Sequence, residues 1–108
     1  MISKELLSEV LGYKISKAYI EDTQSVKYLN VFLDGDDTGI YDSINIHELA
    51  HKCKEWAYKQ GFLLNSDSLG YCLHGCYEED IIKVDQEWKS DTEPEAIFKA
   101  CEWILENK

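Results

Sequence analysis

Residues 45–61 constrain this chain most. Ile46, Leu49, Ala50, Cys53, Trp56 and Ala57 recur at the three- and four-residue spacing of a helix and fall on one stripe. Asn45 precedes the run and Glu48 stands three places on, the spacing of a capping box with Asn in place of the commoner Ser or Thr. Gly61 supplies the stop. A helix that is apolar on one side only must lay that side on another element, so the rest of the chain has to provide a surface for it.

Two more helices of the same kind are predicted. Ser3 can cap one over residues 4–11, where Leu6, Leu7, Val10 and Leu11 fall together and Gly12 follows. Thr92 and Glu95 form a capping box for a closing helix, with Pro94 in its first turn, where the missing N–H costs nothing. Ile97, Ala100, Cys101, Ile104 and Leu105 make its apolar stripe, and Glu95, Lys99, Glu102 and Glu106 lie opposite. Between the helices, residues 13–20 and 27–33 read as strands across a polar turn, followed by an acidic loop at 34–43. After the middle helix come a short apolar piece at 62–64, a turn at 65–68, a strand at 69–77, an acidic turn at 78–80 and a strand at 81–88. Short turns between neighbouring strands imply antiparallel pairing. The expected fold is α+β: a single domain over residues 1–108, with an antiparallel sheet of four to five strands layered with three helices, sandwich-like.

Composition narrows the function. Asp and Glu number 21 against 11 Lys+Arg, all of them lysine, for a net charge of −10. A protein that tracks a nucleic-acid backbone needs a basic face, so direct nucleic-acid binding is not expected. No stretch approaches the ~18 apolar residues of a membrane span, and the N-terminus lacks a basic region followed by an apolar core. Cys53 and Cys101 fall on helical core stripes, which suits reduced thiols in a cytosolic protein; four cysteines would also allow a disulfide framework on count alone.

Three segments resemble a known family. Residues 7–13 (Leu-Ser-Glu-Val-Leu-Gly-Tyr) are similar to a helix that ends in a Val-Met-Gly-Trp type of turn, residues 41–61 to a polar-capped middle helix, and residues 91–105 to a Thr-capped, Ala-Ile-rich closing helix. In order and punctuation they resemble the phage ABA (alpha–beta–alpha) sandwich domain, a family of small phage proteins. The chain departs from that pattern in the Leu-Gly-Tyr of the first turn and in its acidic central loop. The resemblance implies a phage or prophage setting in the bacterial cytoplasm. It brings no activity and no catalytic residue with it.

Three motifs could carry chemistry. His47-Glu48-Leu49-Ala50-His51 matches H-E-x-x-H, in which two His one helical turn apart bind Zn²⁺ and Glu activates the metal's water. At ~100° per residue, however, His47 and His51 point roughly 120–160° from the stripe centred between Leu49 and Cys53, beside Lys54, Glu55 and Tyr58. No third His follows at metzincin spacing, Lys52 charges the position after the second His, and Glu78 would be a ligand only by assumption. The acidic loop places oxygen donors at Asp34, Asp36, Thr38 and Asp42, with Gly39 at the sixth position, as in an EF-hand loop. A strand precedes it, though, and its twelfth position is Asn45 rather than Glu. Cys72, His74 and Cys76 alternate along one strand and so share a face, a start for Zn²⁺ without the usual C-x-x-C turn or a fourth ligand. If Tyr71, Leu73 and Tyr77 face the core, that set faces solvent or a helix; otherwise Cys72 and Cys76 are core thiols.

The expected function is that of a small acidic, non-catalytic accessory protein, without cofactor, that binds a host or phage protein with a basic surface, through Asp34, Asp36, Asp37, Tyr41 and Tyr58. The alternatives are a zinc-dependent hydrolase with Glu48 as its base, a calcium module, and an inhibitor of a DNA-handling protein in which the carboxylates at 34–42 and 78–85 imitate phosphates.

Overall fold

The computed structural model describes residues 2–22, 26–35, 38–78 and 81–107, with 74–78 and 81–86 by backbone alone. The elements are α1 (Lys4–Leu11), β1 (Ile15–Asp22), β2 (Lys27–Leu33), β3 (Asp42–Asn45), α2 (Ile46–Lys59), β4 (Leu64–Ser66), β5 (Tyr71–Glu78), β6 (Ile81–Lys89) and α3 (Glu93–Asn107). The caps are those the sequence signals. Ser3 Oγ accepts from Leu6 N at 3.1 Å, Asn45 Oδ1 from His47 N at 2.8 Å, and Thr92 Oγ1 from Glu95 N at 3.4 Å. Gly12 closes α1 in the left-handed conformation, its N–H donating to Ser8 O.

The α+β class stands, but a single sheet of four to five strands does not form. The strands divide into two antiparallel three-stranded meanders, β1-β2-β3 and β4-β5-β6. The break falls where the chain passes from β3 directly into α2. A helix of 14 residues carries the chain about 21 Å onward. Among the described residues only strands that follow one another without an intervening helix pair, and α2 removes β4 from the edge of β3. Strand β3 itself was expected to be loop: it has one apolar residue, Ile44, and is a strand because it pairs along β2 from Tyr28 to Val31. The second hairpin is also shifted. The 65–68 turn lies at 67–70 instead, where Asp67 Oδ1 accepts from Leu69 N and Tyr71 N, and Leu69 is exposed rather than in a strand.

Helix α2 packs on β2 and β3, α3 packs on β4, β5 and β6, and the three helices touch one another. The molecule measures 54 × 32 × 16 Å. Layers pack about 10 Å apart, so the short axis fits one helix layer on one sheet layer, not an alpha–beta–alpha stack. The core lies between: Leu6, Leu7, Leu29, Val31, Leu49, Cys53, Ile97, Phe98, Cys101 and Ile104 are all buried. Glu102, expected on the outward face of α3, instead turns to the N-terminus. Its Oε1 accepts from Ser3 N at 2.9 Å and Ser3 Oγ at 2.8 Å, tying the first helix cap to the last helix.

The tightest backbone approach is at Gly70, with φ +92°. A Cβ there would lie 2.0 Å from the carbonyl oxygen of Ser90, whose own N–H donates to Gly70 O. At Gly12 a Cβ would meet nothing. Urea unfolding of Gly70→Ala is expected to show a loss of about 3 kcal/mol or more, because strain and a backbone clash act together. Gly12→Ala is expected to lose only about 1–2 kcal/mol, the left-handed penalty alone.

Candidate functional site

Helix α2 turns Leu49 and Cys53 fully inward, so His47 and His51 are on its solvent side. His51 Nε2 lies 3.1 Å from Glu55 Oε1 one turn on, with the two side chains 73% and 62% exposed. Beside them runs an open groove of about 550 Å³, lined by His51, Lys54, Glu55, Tyr58, Lys59 and Leu63. Lys54 is half-buried and donates to Ser66 Oγ, which donates to Glu93 Oε1. Two ammonium groups at this groove repel a divalent cation. Among the described residues no group of three or more His, Cys, Asp or Glu could hold a metal ion. The side chain of Glu78 lies outside the described residues.

The acidic loop is the connection of a β-hairpin. Asp34 N donates to Lys14 O at 3.1 Å and Tyr41 N to Val31 O at 2.8 Å, which ties both ends of the loop to sheet strands. Asp42, the ninth position of the calcium reading, sits in β3 opposite Val31, and its Oδ1 accepts from Ser43 N. Asn45, the twelfth, caps α2. These two positions are committed to a strand and a helix cap, and so cannot close a cage around an ion. Thr38 is exposed; Asp36 and Asp37 lie outside the described residues.

On β5, Cys72 is fully buried while Tyr71 and Leu73 are half-buried, so the face carrying Cys72 is the core face. That settles the orientation against the reading in which Tyr71 and Leu73 face inward. The side chains of His74 and Cys76 lie outside the described residues. Cys72 belongs with Cys53 and Cys101, all free thiols in the seam between α2, α3 and β5. Cys101 Sγ donates to Cys53 O at 3.4 Å. Burial, with the negative charge Cys101 would carry, pushes the Cys72 thiol from near 9.0 up to about 12. The hydrogen bond with Cys53, then burial, pushes Cys101 up as well. Neutral, enclosed thiols are poor nucleophiles.

What the fold does assemble at the surface is an acidic and aromatic patch at one end of the first sheet. Tyr13 and Tyr41 meet edge to face, with centroids 5.1 Å apart and planes at 76°. The Tyr13 hydroxyl is buried with no hydrogen-bond partner among the described residues, and burial, then the Asp42 carboxylate, raises its pKa. Tyr41 and its neighbour Ile40 are 57% and 49% exposed, and the carboxylate of Asp42 next along the chain is exposed too. Of the residues expected to meet a partner, Tyr41 lies in this patch, while Asp34 is at the same end of the sheet in a separate hollow lined by Lys4, Glu5, Ser8 and Lys14. Tyr58 is in neither place: it stands 12 residues along α2 from Ile46, about 18 Å away by helical rise, on the groove with His51. Tyr13 is the member that sequence reasoning missed. Its place after Gly12 marks it as the residue leaving a helix, but nothing local joins it to Tyr41.

No family model, curated protein or solved structure matches the chain.

The buried thiols give a direct measurement. At pH 8 an aromatic disulfide reagent is expected to label at most one thiol per folded chain, and all four once the chain is unfolded. Because Cys72 is held neutral, the stability it contributes is complete below pH 9.0 and lost as pH rises toward about 12. The midpoint of urea unfolding should fall across that window, and fall less in Cys72→Ala.

Proposed function

We propose that this chain is a small acidic, non-catalytic binding protein that docks on a basic surface of a protein partner through the patch around Tyr41. The carrying observation is the Tyr13–Tyr41 pair, with the exposed carboxylate of Asp42 beside it and that of Asp34 at the same end of the sheet. An aromatic ring held rigidly by a second ring presents apolar area with little conformational entropy to lose, and nearby carboxylates steer a positively charged surface toward it. The net charge of −10 acts in the same sense at longer range. The phage or prophage setting, and with it the bacterial cytoplasm, rests on the three segments described above.

Zinc hydrolysis is the weaker reading. His51 pairs with Glu55 on an open helix face beside two lysines, where a metal-bound water would have no enclosed site in which Glu48 could act as its base. After chelation and reloading, elemental analysis is expected to find less than about one tenth of a zinc per chain, a stoichiometry no structural or catalytic site would give.

The docking reading is tested by capture of basic proteins from bacterial lysate on immobilised chain, followed by affinity measurement on the retained protein. Asp34→Asn with Tyr41→Ala is expected to weaken that affinity at least about tenfold, and about 0.5 M NaCl to release it. A partner that the double variant holds as tightly, or that resists the salt, would overturn the reading.

A further inference from the structure

The first strand of the first sheet lies at its outer edge. Among the described residues β1 touches only α1 and β2. Its register on β2 is irregular between Ile15 and Lys17 and regular from Lys17 to Asp22. The regular stretch contains no proline, and Tyr19 and Ile20 on it are 48% and 36% exposed. Natural edge strands are commonly guarded by an outward lysine. Here the one lysine in the stretch is drawn inward: Lys17 Nζ sits 4.5 Å from the centroid of the Phe32 ring on β2. Glu21 likewise leans inward, accepting from Asn30 Nδ2 at 2.9 Å.

The order of side chains along this edge is its own complement. Lys17, Tyr19 and Glu21 alternate on the face opposite the helices, while Ala18 and Ile20 lie on the helix side with Val31 and Leu29. If a second copy of β1 is laid alongside, antiparallel and centred on Tyr19, Lys17 of each copy stands opposite Glu21 of the other. Tyr19 stands opposite Tyr19, and Ala18 opposite Ile20. Opposite charges and paired aromatics directly across strands are stabilising, and like charges there are not. Shifting the centre by one residue, to Ala18 or Ile20, removes both Lys–Glu pairs, so the charges also fix the register.

We propose that the chain forms a two-fold symmetric dimer by antiparallel pairing of β1 with β1 of a second copy, joining the two β1-β2-β3 sheets into one six-stranded sheet. The occupant of the edge is a second copy because the complementarity is internal to the strand: one cation and one anion sit at equal distances on either side of an exposed tyrosine. The contact is isologous and closes on itself, so association stops at two chains. A ladder of about seven residues is short of a standard stable interface, so the dimer is concentration-dependent. This proposal is independent of the patch around Tyr41.

Sedimentation of the full chain from about 5 to about 500 µM tests it. The expected result is a shift from the 12.5 kDa monomer toward twice that mass. Lys17→Glu and Glu21→Lys alone are each expected to weaken dimerisation at least tenfold, since each sets like charges opposite one another. The loss in Glu21→Lys is the telling one, because that change lowers the net negative charge and would otherwise favour association. Mixing the two single variants is expected to give heterodimers, and the double variant to recover wild-type dimerisation within about threefold. Circular dichroism confirms that each variant folds, and Ala18→Pro serves as a further variant acting on the edge backbone alone. A wild-type chain that stays monomeric throughout, single variants that dimerise like the wild type, or a mixture that does not associate would each overturn the proposal.

Discussion

The two sheets share no strand, so what holds them in one molecule is the packing of the helices, chiefly of α2 on α3. Helix α2 carries the first sheet and α3 the second, and the seam between them is filled by Leu49, Cys53, Phe98 and Cys101, all fully buried. Burying a large apolar side chain is worth about 1.5–3 kcal/mol, so a few such residues in one seam outweigh any single surface contact in the chain. Glu102 adds a polar tie at the edge of this layer, because Ser3 caps α1 and donates to a carboxylate on α3 through the same hydroxyl group. Loss of the seam would leave each three-stranded meander with little more than one helix against it, near the lower limit for independent stability.

The same orientation decides the chemistry of the middle helix. A helix has one buried side, and once Leu49 and Cys53 occupy it, the histidines two places to either side must face away. A helix face with imidazoles, lysines and a tyrosine is suited to contact rather than to activating water in an enclosed site. The seam has a comparable effect on sulfur. Cys72 is held protonated chiefly by burial, and Cys101 by its hydrogen bond with Cys53 and then burial, which makes them filling material for the core.

The proposed contacts both lie on the first sheet. Its helix-facing residues are committed to the core, but its other face carries a small polar and aromatic lattice: Lys17 over Phe32, Tyr19 beside Phe32, and Glu21, Asn30 and Ser43 in one hydrogen-bonded row. Asn30 is buried within that row with both ends of its amide satisfied, which fixes the positions of β1 and β3 on either side of β2. At one end of the sheet the hairpin loop brings Tyr41 onto Tyr13; along one side β1 is the outer strand. These two exposed features, an acidic aromatic end and an outer strand, are the ones on which the proposed docking and the proposed dimer rest.

The three helices, their caps and their inward stripes were legible in the sequence, because those signals are local: Ser3, Asn45 and Thr92 bond to backbone two or three residues away, and Leu49 and Cys53 are one turn apart on one helix. The strands of β1 and β2 were legible for the same reason, being neighbours across one short turn. What only the tertiary structure decided involves partners distant in sequence. Strand β3 has too little apolar periodicity to declare itself and exists by pairing with β2. The division into two sheets follows from the length of α2. The inward face of β5 was ambiguous because Cys72 and its flanking Tyr71 and Leu73 are all apolar enough to be buried, and only the place of α3 selects between them. Periodicity reports which residues share a side; which side is covered depends on what the rest of the chain brings to it.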